Sequence, residues 1–294
     1  MKLPRRVIEA RYVRGKRVVP SAHNRWWYYR RLSLLTQVMD GRVRVVFEKS
    51  GEVLTLPDRI ELNELRRKFV NLFDEEARPI AEEFFARNIR STQSAFLAAT
   101  KPIVEEQEKD ARERKRKAMS SRKYELQIDG RRNRLELSQF REGIEENVNL
   151  IKTIPAQYFG KIDKAVEART RGKMTRGALV KRIKELGHIT QRRAEMIADD
   201  QTAKATEAMT LARCRNAGIK RVMWVHSGVS MKPRDYHKRR WDGHTGKFNG
   251  KPNGLNGYIF NIDTPPVIDL KTGERGFPAQ LVNCKCQLVP VVSV

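Results

Sequence analysis

The stretch QRRAEMIADDQTAKATEAMTLARCRNAGIKRVMWVH, residues 191–226, contains the change of pattern that decides the fold. Its first part is predicted to be helical, because small apolar residues recur mostly at steps of three and four and form one stripe for close helix contact. Gly218 ends this helix, and residues 220–226 are predicted to be a β-strand. The stripe consists of Ala194, Ile197, Ala198, Ala205, Ala208 and Ala212.

A second predicted helix lies immediately upstream. The segment ALVKRIKELG, residues 178–187, ends in Gly187, which is a C-terminal helix signal, and Thr190 can cap the helix that follows. The two helices resemble a helix-turn-helix in outline, but an ordinary helical hairpin has the same signals. Asp199 and Asp200 stand where a DNA-reading helix favours neutral or basic groups, so we do not assign sequence reading to this pair.

Two segments nearer the N-terminus carry hairpin patterns. β-Branched residues flank a short turn at Gly51, which predicts a β-hairpin over residues 42–48 and 52–56. Asp129-Gly130 lies between two alternating runs and favours a second hairpin.

The segment between these two patterns is predicted to be helical. Apolar residues recur at helical spacing from about residue 60 to residue 118. Pro79 and Pro102 are expected to divide this segment into two or three helices, because proline lacks the N–H that the helix interior requires.

These patterns predict an α+β protein in two parts. Residues 1–140 form a basic, mostly helical part with one or two hairpins. Residues 141–294 form a small α+β module, because its helices give way after Gly218 to a segment rich in Gly, Pro, Asn and Asp with short strands that end in CQLVPVV.

The charge of the chain indicates its class of partner. Sixty lysines and arginines oppose 35 aspartates and glutamates, giving a formal net charge of +25 at pH 7. This far exceeds the roughly 2–8 that serves a small domain, and it favours a polyanionic partner, with nucleic acid first. No apolar run of about 18 residues occurs, and none follows the basic N-terminus, so we expect neither a membrane partner nor a signal peptide.

Two basic segments are candidates for nucleic-acid contact. RERKRKAMSSRK, residues 112–123, can track phosphates, and a solvated linker is the alternative. NRWWYYRR, residues 24–31, interleaves arginines with aromatic rings that can stack on bases; the alternative is that the rings dock on a neighbouring helix. The candidate residues are Arg112, Arg114, Lys115, Arg116, Lys117, Arg25, Arg30 and Arg31.

The chain contains three cysteines, which indicates a reducing compartment and no disulfide framework. Cys284 and Cys286 stand two residues apart, so both sulfurs face the same side if the segment is extended. This arrangement favours one shared metal ion, such as zinc, with His226 and His237 as further ligands. The alternative is a pair of reduced thiols in a small core.

An enzymatic interpretation uses some of the same residues. His226, Arg234, His237 and Asp242 can form a nuclease-like cluster, with histidine as the acid or base and arginine against a phosphate. The spacing does not demand such a site, and the chain has no Walker loop, G-x-S-x-G, H-E-x-x-H or dinucleotide fingerprint. We therefore expect no enzyme and keep nuclease-like activity as the alternative.

Several motifs follow one another in the second half of the chain. They are an IPAQY helix, an I-A-x-D-Q core, a G-I turn, a strand with tryptophan, an R-x-x-H loop, a D-G pair and a C-x-C motif. The positions after IPAQY are Ile197–Gln201, Gly218-Ile219, Trp224, Arg234, His237, Asp242-Gly243 and Cys284–Cys286. This order resembles the phage Mu F-like head-morphogenesis family, the minor head proteins of tailed bacteriophages, over roughly residues 145–294.

The chain departs from that family at three places. It reads SMKPRDYH where many members carry an acidic D-E-R run before R-x-x-H, and Lys285 replaces the commoner arginine of the C-x-C motif. Other members have C-x-x-C or C-x-x-H where this chain has Arg234 and His237. The resemblance therefore makes His237 the third metal ligand beside the two cysteines, and His226 the candidate to complete the set.

The resemblance implies a minor capsid protein of a bacteriophage virion. The expected partners are the portal protein, the major capsid or scaffold protein, and double-stranded DNA contacted without sequence preference. The expected location is the phage head near the portal vertex, and the host cytoplasm during assembly. The expected role is in head morphogenesis and in packaging or delivery of the genome.

Overall fold

Long helices make up most of the chain in the computed structural model. The structure describes residues 12–116, 126, 128, 133–228, 234–240, 247–248, 251–252 and 254–293. The helices in these ranges are α1 (Ala22–Lys49), α2 (Leu56–Arg116), α3 (Arg141–Thr170), α4 (Arg176–Asn216), the short α5 (Asp235–Lys238) and a 3-10 helix (Leu137–Phe140). The strands are β1 (Tyr12–Arg14), β2 (Arg221–Val225), β3 (Lys247–Phe248), β4 (Lys251–Pro252), β5 (Ile259–Asn261) and β6 (Gln287–Ser293).

The main sheet is small and antiparallel, with strand order β1-β6-β2-β5. Val222 and Trp224 of β2 and Leu288 of β6 belong to one buried cluster, whereas Met223 and Val289 belong to another. This alternation follows from the period of two along a strand. The predicted fold class, mostly helical with a small α+β module, is confirmed.

The chain forms two compact units, each built from separated segments. Unit 1 contains Met1–Pro20, Ile89–Leu135 and Ala203–Val294, and unit 2 contains Ser21–Asn88 and Glu136–Thr202. Both units therefore take segments from either side of residue 140, where we placed a boundary along the chain. Within the described residues, no helix carries a stretch apolar enough to cross a membrane.

A buried polar network joins three helices of unit 2. The Tyr28 hydroxyl donates to Asn147 Oδ1 (2.5 Å), and Asn147 Nδ2 donates to Gln201 Oε1 (2.7 Å). Gln201 Nε2 in turn donates to Glu146 Oε1 (3.2 Å). Gln201 ends the I-A-x-D-Q core, so that motif residue has a packing role here. Every member of such a network must stay satisfied, because an unpaired buried polar group is costly.

The hairpin predicted over residues 42–48 and 52–56 is wrong. Helix α1 continues to Lys49 and is capped by Ser50, whose N–H donates to the Val46 carbonyl (3.0 Å). Val43, Val46 and Phe47 are buried at helical spacing. Packing of that face has overridden the β-propensity of the valines.

The helix breaks predicted at Pro79 and Pro102 are also wrong, because α2 runs without interruption from Leu56 to Arg116. Residues beside both prolines are buried, including Ile80 and Ile103. A proline inside a helix removes one backbone hydrogen bond, and packing on both sides of each proline keeps the helix continuous.

The helix end predicted at Gly187 and the cap predicted at Thr190 are wrong for a different reason. Both residues lie inside α4, and Thr190 Oγ1 donates to the Leu186 carbonyl (2.8 Å). A Cβ on Gly187 would overlap the Asp40 carboxylate. Glycine is required here for a close approach between α4 and α1. The second predicted hairpin, at Asp129-Gly130, lies outside the described residues.

Candidate metal centre

Two chain segments of unit 1 bring the histidine and cysteines together. The short helix α5 presents His237, and residues 284–286 lead directly into β6. Asn283 adopts a left-handed backbone conformation (φ 58°) immediately before Cys284, which asparagine tolerates better than most residues. The Cys284 N–H donates to the Leu281 carbonyl (3.0 Å) and closes this turn.

His237, Cys284 and Cys286 form a compact, buried group. The distance from His237 Nδ1 is 3.5 Å to Cys284 Sγ and 4.0 Å to Cys286 Sγ. All three ligand atoms lie within 4.8 Å of one another, and the residues are only 2%, 4% and 3% exposed. Two sulfurs and one imidazole nitrogen at this spacing can hold a metal ion.

The histidine ring is held in the tautomer that a metal requires. His237 Nε2 lies 2.8 Å from the Ile268 carbonyl oxygen, which can only accept. Nε2 must therefore carry the proton, and in the neutral ring Nδ1 keeps its lone pair toward the two sulfurs. A backbone carbonyl on the far nitrogen is a common support for a metal-bound histidine.

The two thiols influence each other strongly. A hydrogen bond from the Cys286 thiol lowers the pKa of Cys284, whereas burial raises it. The same interaction raises the pKa of Cys286. Both sulfurs must lose their protons to bind a metal ion, so metal affinity would rise with pH.

Cys214 provides a contrast within the same unit. It is fully buried in α4, and burial raises the pKa of its thiol. It does not belong to the group of potential ligands. Cys214 thus behaves as an ordinary core thiol.

Trp224 Nε1 and Glu207 Oε1, both in unit 1, are buried and lack hydrogen-bond partners among the described residues. The Trp224 ring stands edge-on to His237, with centroids 4.9 Å apart. The burial of Glu207 was not predicted from the sequence.

His226 was predicted as a fourth ligand, but the described residues that form the group do not include it. Its Nδ1 accepts the Gly228 N–H (3.1 Å), and its own N–H donates to Asn256 Oδ1 (3.1 Å). Of the four predicted ligands, the geometry supports His237, Cys284 and Cys286. His226 is instead hydrogen-bonded to Gly228 and Asn256.

Three of the four residues of the nuclease-like cluster, His226, Arg234 and His237, lie within the described residues. Both terminal nitrogens of Arg234 donate to the Val282 carbonyl (3.3 Å), and His237 is only 2% exposed. A phosphodiester in solution cannot reach a ring buried to that extent. Asp242 lies outside the described residues.

The aromatic segment of α1 divides between the faces of the helix. Tyr28 is fully buried and stacks on Phe84 (centroids 4.3 Å apart), whereas Trp26 is 52% exposed. Arg30 lies over the Trp26 ring and Arg31 over the Trp27 ring. These contacts agree with the docking alternative for Tyr28.

The remaining nucleic-acid candidates differ in their accessibility. Arg25 forms ion pairs with Asp199 and Glu195 of α4, and Arg112 and Arg114 form ion pairs with Glu108 and Asp110 of their own helix. Lys115 and Arg116 are exposed at the end of α2. Lys117 lies outside the described residues.

Comparisons with known proteins give one distant similarity. The chain is 33% identical over 147 residues to an uncharacterized protein of Haemophilus influenzae, a match that covers 50% of this chain and 28% of the relative. The chain thus matches little more than a quarter of that protein's length. No family model matches the chain, and no solved structure matches it.

Proposed function

We propose that this protein is a minor head protein of a tailed bacteriophage that acts in head morphogenesis at the portal vertex. The observation that carries the proposal is the meeting of His237 with Cys284 and Cys286 in one buried group. These residues are the R-x-x-H and C-x-C motifs of the head-morphogenesis resemblance. They lie 47 and 49 residues apart in the chain, and their contact supports a common structural purpose.

The metal that fits this donor set best is zinc. Zinc binds cysteine sulfur at about 2.3 Å and histidine nitrogen at about 2.0–2.1 Å, so a tetrahedral ion holds S and N roughly 3.5–3.6 Å apart. The two S–N distances are 3.5 and 4.0 Å, which a small contraction brings into this range. Zinc in this position ties α5 to the start of β6, a structural role.

The charge of the chain supports contact with packaged DNA. A protein with a net charge of +25 is attracted to densely packed duplex, and this attraction needs no base contacts. Lys115 and Arg116 offer exposed cations at the end of α2. We propose double-stranded DNA, the portal protein and the major capsid or scaffold protein as partners.

A genetic experiment on a phage that carries this gene tests the proposal. We expect mass spectrometry of purified particles to detect the chain at low copy number, and deletion of the gene to yield particles defective in DNA content or infectivity. Cross-linking of assembled heads should connect the chain to the portal. Infectious particles that never contain the protein would overturn the proposal.

A nuclease assay separates this function from the enzymatic alternative. Purified protein is incubated with plasmid, with and without divalent metal ions, and wild type is compared with His237→Ala. We expect no cleavage by either. Cleavage by wild type that is lost in the variant would favour the alternative.

A further inference from the structure

A cavity of about 240 Å³ lies in unit 2, where the ends of four helices meet. Its walls come from the end of α1, the start of α2, the end of α3 and the start of α4. The connector between α1 and α2, residues 50–55, contributes most of the remaining wall. We call this space the connector cavity.

The connector cavity has both buried and accessible apolar walls. Phe47 and Leu179, which line it, are 3% and 4% exposed, whereas Val53, another lining residue, is 69% exposed. A group in solution can therefore enter past Val53 and reach buried apolar side chains. A single exposed valine needs no explanation, but one that continues into an apolar cavity offers a surface for contact.

Two arginines fix the connector in place. Arg176 donates from Nη2 to the Ser50 carbonyl (2.7 Å) and from Nε to the Gly51 carbonyl (3.0 Å). Arg169 Nη2 donates to the Glu52 carbonyl (2.9 Å). These bonds hold the cavity wall in one arrangement, so a partner that binds there loses little free energy in ordering it.

The connector cavity also carries an excess of positive charge. Arg59, Arg169 and Arg176 line it, and Glu52 is its acidic lining residue. Glu52 pairs with Arg169 (3.3 Å). Among the described residues, no carboxylate pairs with Arg59 or Arg176. Two guanidinium charges thus remain beside apolar walls.

The size and charge of the cavity define the chemistry of its occupant. Its volume of about 240 Å³ is below the roughly 300–1,000 Å³ of small-molecule sites, and it suits one large apolar side chain, the usual anchor in a protein interface. The two arginines favour carboxylates beside that anchor. The phosphates of duplex DNA could also pair with the arginines, but the DNA backbone carries no large apolar group to fill the cavity.

We propose that the connector cavity binds an acidic peptide segment of a protein partner. One apolar side chain of the segment enters the cavity, and neighbouring carboxylates pair with Arg59 and Arg176. The site uses no residue of the metal centre, and it would exist whether or not the protein acts in a phage head.

Selection from a random peptide library displayed on yeast, with the full-length protein as bait, tests the proposal. We expect the recovered peptides to share one large apolar residue among aspartates and glutamates. Recovery of no binding peptide, or of peptides without acidic residues, would overturn the proposal.

Val53→Ser separates binding in the cavity from general attraction to a basic protein. We expect the affinity for a selected, fluorescein-labelled peptide to fall by about fivefold or more, because part of an apolar contact is lost. Fluorescence anisotropy measures this. Val70→Ser is the matched control, since Val70 is an exposed valine of unit 2 that does not line the cavity. Equal affinities in the two variants would overturn the proposal.

Arg59→Gln tests the charged part of the site in the same assay. We expect the peptide affinity to fall by about twofold to fivefold, the usual range for one exposed ion pair, and to depend less on salt. Arg67→Gln is the control, because Arg67 is an exposed arginine of α2 outside the cavity lining. Equal losses in both variants would mean diffuse attraction to the net charge and would overturn the site.

A labelled DNA duplex distinguishes the two classes of partner. We expect Val53→Ser to leave the duplex affinity unchanged, because phosphates do not use the apolar wall. A loss of duplex affinity in Val53→Ser as large as the loss of peptide affinity would assign the cavity to DNA and overturn the proposal.

Discussion

At the scale of single residues, the hydrogen bond between His237 and the Ile268 carbonyl prepares the metal centre before any ion arrives. It fixes the ring and leaves Nδ1 toward the sulfurs. The fold has therefore already ordered the His237 ring, so less of the metal-binding free energy is lost in ordering it when the ion binds.

Cys284→Ser provides a test of the metal centre at this scale. We expect the purified variant to contain much less zinc than wild type, and its melting temperature to be lower and insensitive to chelator, because zinc binding stabilises only the folded chain. Elemental analysis and thermal unfolding measure both effects.

Cys214→Ser is the control for that change. It also places a hydroxyl in a buried position, but Cys214 lies outside the ligand group. We expect it to destabilise the protein while leaving the zinc content unchanged. Equal zinc contents in the two variants would contradict the assigned ligands.

Tyr28→Phe tests the polar network of unit 2. Removal of the hydroxyl leaves Asn147 Oδ1 without its donor in a buried position, and we expect the free energy of unfolding to fall by about 1–3 kcal/mol. Denaturant unfolding measures this. Tyr29→Phe, at a half-buried neighbouring position, should have a much smaller effect.

Of the candidate site, the sequence allowed prediction of His237, Cys284 and Cys286, because two motifs placed them together. It did not allow the exclusion of His226, since the loop contact with Gly228 depends on tertiary structure. The burial of Glu207 could not be predicted from a pattern, because a single carboxylate on a helix gains meaning only from its neighbours across the core.

At the scale of elements, most helices and strands were predicted correctly by type but not by extent, whereas residues 42–48, predicted as a strand, are helical. The strands near residues 220–226 and 287–293 are confirmed as β2 and β6. The helices were predicted to be shorter than they are, because proline and glycine are local stop signals that packing can override. Gly187 is an example. Glycine stands there because a Cβ would overlap the Asp40 side chain of α1, and the sequence does not show this contact.

Gly187→Ala tests this interpretation. A Cβ at residue 187 would overlap Asp40, which accepts the Tyr158 hydroxyl (2.8 Å) and pairs with Arg44. We expect destabilisation by about 1–3 kcal/mol, the usual cost of overpacking. Denaturant unfolding measures the change.

Gly160→Ala is the matched substitution for this test. Gly160 lies within α3, and a Cβ there would meet no atom within 4 Å. Alanine should stabilise the helix by roughly 0.5–1 kcal/mol. Stabilisation by both substitutions would mean that Gly187 is not required for helix contact.

At the scale of the whole molecule, the sequence did not predict which segments of the chain form each of the two units. Each unit joins segments that are far apart in the chain, and composition changes along the chain do not reveal such pairings. The net charge, by contrast, is a property of composition and predicts the class of partner directly.

Duplex binding tests the role of that charge. We expect the affinity to be similar for unrelated sequences and its logarithm to fall linearly with the logarithm of salt concentration. Fluorescence anisotropy with two labelled duplexes measures both. A marked preference for one sequence, or no binding at low salt, would contradict sequence-independent contact.

Two variants localise the contact. Lys115→Gln combined with Arg116→Gln removes exposed charges and should weaken binding and reduce the salt slope by about 2. Arg25→Gln should change the slope little, because Asp199 and Glu195 already offset the Arg25 charge. Equal effects from both would argue against the end of α2 as a contact.

The position of β6 within the sheet has a consequence for biosynthesis. This strand pairs with β1 on one side and β2 on the other, yet a ribosome makes it after every other strand of the sheet. Until residue 293 has left the exit tunnel, β1 and β2 each expose an unpaired edge, and such edges invite aggregation or chaperone binding. Closure of the sheet is therefore a late event in the life of each nascent chain.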